Sequence, residues 1–301
     1  MTRLEKKSAI DAIHNELQAS YADGFGVNEA GSDSLPRRSE VIAITEKLLE
    51  LIFPGFDRAG TYPSALVLLG DCVRELSDQI SRAMRRVTGD ECACCENGCS
   101  SRCDELALAF MKQLPQIRET MKLDVKAAYN GDPAAKNYDE IILSYPGLKA
   151  IAIQRLAHVL FCAGVPLIPR MMTEYAHSET GIDIHPGATL GRGVFIDHGT
   201  GVVIGETAVL GNNVRIYQGV TLGAVSFPKN ACGVLIKGLR RHPTIGSNVT
   251  IYSGASVLGD VTIGDDSVIG GNVWLTESLP QGTKITALPP EHRRKSLNGD
   301  K

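Results

Sequence analysis

Up to about Cys162 apolar residues recur at steps of three and four; beyond about residue 180 they recur at steps of six. In residues 64–86, Leu69, Val73, Leu76, Ile80 and Ala83 keep the first spacing, which lines one face of a helix and predicts an amphipathic helix there. Leu48, Leu51 and Ile52 do the same in an earlier segment that Pro54 ends. Leu106, Phe110, Leu114, Ile117 and Met121 carry the pattern through residues 104–126, where Pro115, lacking an N–H, is expected to kink or split the helix. Gly131-Asp132-Pro133 stops it, and a further helix is expected from about Leu148 to Cys162. The first eighteen residues are charged, contain no apolar run and read as an amphipathic helix rather than a secretion signal.

In the second half, Ile184, Leu190 and Ile196 are each six apart, as are Ile204, Leu210, Ile216 and Leu222. The period returns at Ile245, Ile251, Val257, Ile263, Ile269 and Leu275. Small or β-branched residues such as Ala188, Val194, Ala208, Val214 and Val220 keep the same step, and Gly often follows the aliphatic residue, as in Leu190-Gly191 and Ile204-Gly205. A period of six is neither the 3.6 of a helix nor the 2 of a strand. It fits a three-sided prism with six residues to a side, aliphatic ladders inside and small residues at the corners. The period breaks twice. Ile196 to Ile204 is eight residues, so two extra residues enter around His198-Gly-Thr-Gly201, and Leu222 to Ile245 makes a long excursion over residues 224–244. Insertions in such a coil map to loops on one face, usually the binding face.

A length of 301 residues suits one large domain or two modest ones. At 43% apolar and 22% charged the chain has ample core material, which excludes disorder. A net charge of −3, from 31 basic and 34 acidic residues, gives no reason to expect nucleic acid or a membrane surface as partner. No apolar stretch approaches the ~18–20 residues of a membrane span, so the expectation is a cytoplasmic protein. Of 8 cysteines, Cys92, Cys94, Cys95, Cys99 and Cys103 lie within twelve residues. Their spacing fits no standard zinc pattern, so metal or cluster ligation, a redox switch and a plain helix-linking loop all stay open. Cys72 and Cys162 are expected in the core.

Five motifs now stand in order: Asp183-Ile-His-Pro186, Gly191-Arg-Gly-Val-Phe-Ile-Asp-His-Gly-Thr-Gly201, Gly205-Glu-Thr-Ala208, Gln218-Gly-Val-Thr-Leu-Gly223 and Arg241-His-Pro243. From about residue 132 to 288 the chain resembles the hexapeptide-repeat acyltransferases and, within them, the serine O-acetyltransferases. The resemblance implies an α+β protein: an N-terminal α-helical domain (residues 1–180) followed by a left-handed parallel β-helix (181–288, with the loop 224–244) and a tail (289–301). It implies a homotrimer or a dimer of trimers with active sites between neighbouring prisms. The implied reaction moves the acetyl group of acetyl-CoA, a cosubstrate, to the hydroxyl of L-serine, the first step of cysteine biosynthesis. No further cofactor is implied, and L-cysteine is implied as a feedback inhibitor in the serine site.

A serine hydroxyl is a poor nucleophile near neutral pH, and attack on a thioester needs a general base. The family's base falls on His198, in the two-residue bulge, and Asp183 is the match for the carboxylate that orients it. Arg241 and His242 match the residues that meet substrate at the end of the long loop, Arg being the best partner for a carboxylate, although Arg240 adjoins it, and the match makes His242 a catalytic residue near the reacting centre. Asp132 and Asp197 match the residues that take the substrate ammonium, with Glu206 in support. Gly223, Ala224, Ser253 and Gly271 match the backbone lining of the acetyl-CoA groove. The family's loop reads Gly-Gly-Thr-Gly after Val-Thr-Leu, whereas here it is Gly223-Ala-Val-Ser226, so loop contacts do not carry over. Relatives that dock cysteine synthase end in isoleucine; this chain ends in Asp300-Lys301, which speaks against that partner. Three other readings stand beside this one: a sugar or antibiotic acetyltransferase on the same prism, a zinc hydratase using His185, His198 and His242, and a non-catalytic cysteine sensor.

Overall fold

A computed structural model describes residues 1–22, 35–56, 64–88, 99–226, 228–230 and 232–288. Helix α1 (Arg3–Tyr21) belongs to a unit of its own, residues 1–35. The Thr2 hydroxyl and the Glu5 carboxylate satisfy each other's backbone N–H groups at its start, and none of its residues is buried. The second unit, residues 36–301, holds α2 (Arg38–Ile52), α3 (Ala65–Thr88), α4 (Cys99–Met111), α5 (Leu114–Gly131), α6 (Tyr138–Ser144), α7 (Pro146–Cys162) and α8 (Ile168–Thr180), followed by the prism. Pro115 splits the helical pattern around it: α4 ends at Met111 and α5 starts afresh with Pro115 in its first turn, where a missing N–H costs nothing. The short α6 and α8 escape the periodic reading, α6 because it has seven residues, α8 because Thr173 and Thr180 are among its buried positions. Cys72 is buried as expected, but Cys162 is exposed, because α7 runs out of cover at its last turn. No described helix is long and apolar enough to cross a membrane.

Among the described residues fourteen short strands form three parallel faces. The first holds β1 (Asp183–Ile184), β4 (Val203–Ile204), β7 (Thr221–Gly223), β10 (Ser256–Leu258) and β13 (Trp274–Leu275). The second holds β2 (Thr189–Leu190), β5 (Val209–Leu210), β8 (Thr244–Ile245) and β11 (Thr262–Ile263). The third holds β3 (Phe195–Ile196), β6 (Arg215–Ile216), β9 (Thr250–Ile251), β12 (Val268–Ile269) and β14 (Lys284–Ile285). The residues of the six-residue period stack in register: Ile184, Ile204, Leu222, Val257 and Leu275 on the first face, Ile196, Ile216, Ile251 and Ile269 on the third. Corners between the second and third faces turn through left-handed Asn213, Asn248 and Asp266, residue types that tolerate that conformation. Their side chains bond up the corner, Asn213 to Asn248 and Asn248 to Asp266.

One buried ion pair fastens the helices to the first coil. Arg155 of α7 grips Asp124 of α5 with two bonds of 2.8 and 3.0 Å and donates to the carbonyls of Leu190 and Gly191, while Asp124 accepts the Val194 N–H. Burial pushes the Asp124 carboxyl up and Arg155 pulls it back. Two glycines bring α5 and α7 against β3. A Cβ on Gly131 would fall 2.6 Å from the Phe195 ring, and one on Gly147 would fall 2.2 Å from the Ile196 carbonyl oxygen. The ends of both helices are therefore held against the strand that leads into His198.

Candidate active site

The corner that follows β3 runs through residues 197–202, two more than the corner 217–220 one coil above it. The extra residues are taken up by left-handed His198, Gly199 and Gly201. This turns the His198 ring out of the coil, with 72% of its side chain exposed and Nδ1 3.8 Å from Asp197 Oδ1. Asp132 comes to the same corner from the end of α5. One of its carboxylate oxygens accepts the Ala134 N–H at 2.8 Å, the other the Tyr145 hydroxyl at 2.5 Å. The Tyr145 bond, then the Ala134 N–H, hold the Asp132 carboxyl below the usual range, and His198 adds to the effect. Tyr145 is pushed up by burial and by Asp132, with Asp197 contributing. Asp132, Tyr145, Asp197 and His198 thus form one electrostatic group.

A second group occupies the corner after β4 and the end of the long loop. The Thr207 hydroxyl oxygen accepts the backbone N–H groups of Arg241 (3.0 Å) and His242 (3.2 Å). His242 Nδ1 in turn accepts the Thr207 backbone N–H at 3.1 Å and lies 2.8 Å from its hydroxyl. An N–H can only donate, so Nδ1 carries no proton and the neutral ring presents Nε2–H. The ring is 6% exposed and packs on Gly205, where any Cβ would lie 2.1 Å from it. Burial, then the charge of Arg241, lower His242 to about 4, so at neutral pH it is a neutral donor. Arg241 pairs with Glu206 at 2.6 Å and holds that carboxyl down, whereas Arg240 pairs with Asp260. His185, one coil below, accepts the Gly187 N–H on Nδ1 and is lowered by burial, then by Arg170.

Most of the residues singled out in the sequence therefore gather at two corners, one on each side of the first face. Asp132, Asp197 and His198 lie at one, Glu206, Arg241 and His242 at the other, with β4 between them. At ~3.3 Å per residue, six residues of one side separate them by on the order of 15–20 Å. Ser253 and Gly271 belong to the His198 corner: Gly219 N–H bonds Thr200, Gly254 N–H bonds Gln218 and Asn272 N–H bonds Ser253, which stacks that corner into a continuous half-buried edge. Gly223 and Ala224 sit at the other corner, where the loop leaves β7. A cavity of about 590 Å³ there is lined by loop residues including Val225, Leu235 and Lys237 together with Glu206 and Arg241. Asp183, on β1, lies 3.7 Å from Arg170 and makes no ion pair with His198 among the described residues.

His185, His198 and His242 do not converge within the described residues of one chain. The trio that could, Glu174, His177 and Asp183, already holds the Arg170 guanidinium, which bonds Glu174. Cys92, Cys94 and Cys95 lie outside the described residues, and of the rest of that cluster Cys103 is buried on α4. Tyr145 and Thr207 were not singled out by the sequence reading. Thr207 stands inside the Gly205–Ala208 motif, but Tyr145, thirteen residues from Asp132, carries no linear signal.

The family model described as serine acetyltransferase, N-terminal, matches residues 77–153, and that described as bacterial transferase hexapeptide (six repeats) matches residues 242–277. A relative from Synechococcus elongatus, named serine acetyltransferase, plasmid, is 47% identical over 296 residues, 95% of this chain and 92% of its own length. The crystal structure of Entamoeba histolytica serine acetyltransferase 1 in complex with L-cysteine superimposes with a TM-score of 0.70 at 38% identity, covering 80% of this chain and 85% of that one. Neisseria gonorrhoeae serine acetyltransferase in complex with serine gives 0.55 at 29% identity, covering 83% and 97%. On this identity, carried through almost the whole length of both proteins, the chain belongs to the serine acetyltransferase family, an acyltransferase built on a helical region and a left-handed parallel β-helix.

Proposed function

We propose that the chain transfers the acetyl group of acetyl-CoA to the hydroxyl of L-serine, with His198 as general base, in a site completed by a second copy of the chain. The observation that carries the reading is the His198 corner, an outward imidazole flanked by two carboxylates, Asp132 and Asp197. Asp132 and Asp197 take the substrate ammonium, and Arg241 of the neighbouring copy takes its carboxylate with paired N–H donors. His198 removes the hydroxyl proton as oxygen attacks the thioester carbon, and later returns it to the departing thiolate. Asp183 is the match for the group that orients His198. His242, a neutral Nε2–H donor, stabilises the oxyanion of the tetrahedral intermediate. The pantetheine arm lies along the stacked edge through Ser253 and Gly271, with Gly223 and Ala224 across the groove.

Two edges that one prism keeps apart meet when prisms pack around a three-fold axis, which supports a trimer, alone or paired. Solved relatives carry serine and L-cysteine, which favours an amino-acid site with cysteine as competitor. The test is thiol release from acetyl-CoA with L-serine, homoserine or a sugar as acceptor, with and without L-cysteine. Serine-dependent release that L-cysteine suppresses is expected; equal release with a sugar, or none with any acceptor, overturns the reading.

A further inference from the structure

One coil below the Glu206 corner, His158 and Cys162 stand one turn apart at the end of α7, with Cys162 Sγ 3.5 Å from His158 Nε2. The other ring nitrogen, Nδ1, lies 2.8 Å from the Pro186 carbonyl oxygen. A carbonyl only accepts, so Nδ1 carries the proton and Nε2 turns its lone pair to the thiol. A thiol, a basic nitrogen directed at it and a third group that fixes the ring are the parts of an activated nucleophile. The thiol is exposed, and beside it a cavity of about 290 Å³ is lined by Leu106, Phe110, Val159 and Ala163, with no acidic or cationic side chain among the described residues.

We propose that Cys162 is a thiol–disulfide exchange site for small neutral disulfides with an apolar body, with His158 as its base. Cys162 gives its proton to His158 Nε2 and Sγ attacks one sulfur of the disulfide. The S–S bond breaks, a new Sγ–S bond forms, and the departing thiolate takes up the proton. Cys162 is oxidised to the mixed disulfide while half of the reagent is reduced to thiol. The apolar cavity holds the body of the reagent and the fixed imidazole supplies the base.

Cys232 serves as the control within the same molecule, being exposed and without a hydrogen-bond partner at its sulfur among the described residues. The full chain is treated with dithiodipyridine, or with oxidised glutathione as the charged comparison, and each cysteine is followed by peptide mass. Cys162 is expected to react at least roughly tenfold faster than Cys232 with the neutral disulfide and to lose that advantage with the charged one. His158→Gln brings Cys162 to the rate of Cys232. A Cys162 no faster than Cys232, or an unchanged rate in a folded H158Q, overturns the proposal. Should H158Q fail to fold, the two rate ratios in the unsubstituted chain decide it.

Discussion

At Asp132 a carboxylate is held ready by two donors, and the stronger of its bonds comes from a residue the linear pattern does not reveal. The Tyr145 hydroxyl fixes one oxygen at 2.5 Å while the Ala134 N–H fixes the other. Tyr145→Phe removes a bond to a charged acceptor, worth about 1.5–3 kcal/mol, so the KM for L-serine should rise by roughly tenfold or more. Steady-state kinetics should find kcat and the KM for acetyl-CoA little changed; a fall in kcat alone would remove Tyr145 from the amino-acid site. His242 makes a second residue-level prediction. It is held neutral down to about pH 4, while in the unfolded chain it titrates near 6.5. Between those values the unfolded chain takes up a proton that the folded chain refuses, so stability present in full above pH 6.5 is lost as pH falls towards 4. Denaturant unfolding of His242→Gln beside the parent should give curves that approach each other as pH falls through this window; parallel curves would contradict the buried neutral ring. Asp197 and His198 could be singled out in the sequence because they sit in an ordered motif, and Asp132 by its match to the family at Asp132-Pro-Ala134; Tyr145 could not, because its partner is reached only when α5 and α7 fold against β3.

The elements were readable to different depths. Aliphatic steps of six translate directly into stacked ladders, since each strand pairs with the residue one coil away, and the eight-residue gap marks the corner that carries His198. Steps of three and four locate α3, α5 and α7, whereas α6 and α8 are short or bury hydroxyls and leave no such trace. What no periodicity reveals is the joint between helices and prism. Asp124 and Arg155 are charged residues in helical patterns that would ordinarily face water, and they are buried because each also bonds backbone of the first coil. Removing one partner leaves the other charge buried and unpaired, so Arg155→Ala should cost about 3–5 kcal/mol in denaturant unfolding. Replacing both by apolar residues of like volume should recover much of that loss. A loss below about 1 kcal/mol for Arg155→Ala would mean that the joint does not hold the helices to the coil.

Over the whole molecule the chemistry is divided. The His198 corner offers an exposed imidazole and two carboxylates; the Arg241 corner offers a guanidinium, a neutral imidazole and the long loop; one face of the prism stands between them. The division is hidden in the linear order, where His198 and Glu206 are eight residues apart, and becomes visible only when the period places them on opposite edges of a side. The central claim is that two chains make one site, and mixing two inactive variants tests it most directly. His198→Ala should lower kcat by roughly 10²–10⁴ as loss of a general base, and Arg241→Ala should lose serine binding. In the proposed trimer, co-expression in equal amounts gives mixed assemblies in which about one site in four draws an intact His198 from one chain and an intact Arg241 from the next. Acetyl transfer to L-serine is predicted to return to about a quarter of the unsubstituted rate. Mixed assemblies as inactive as either variant alone would place both residues in a site within one chain and contradict the account.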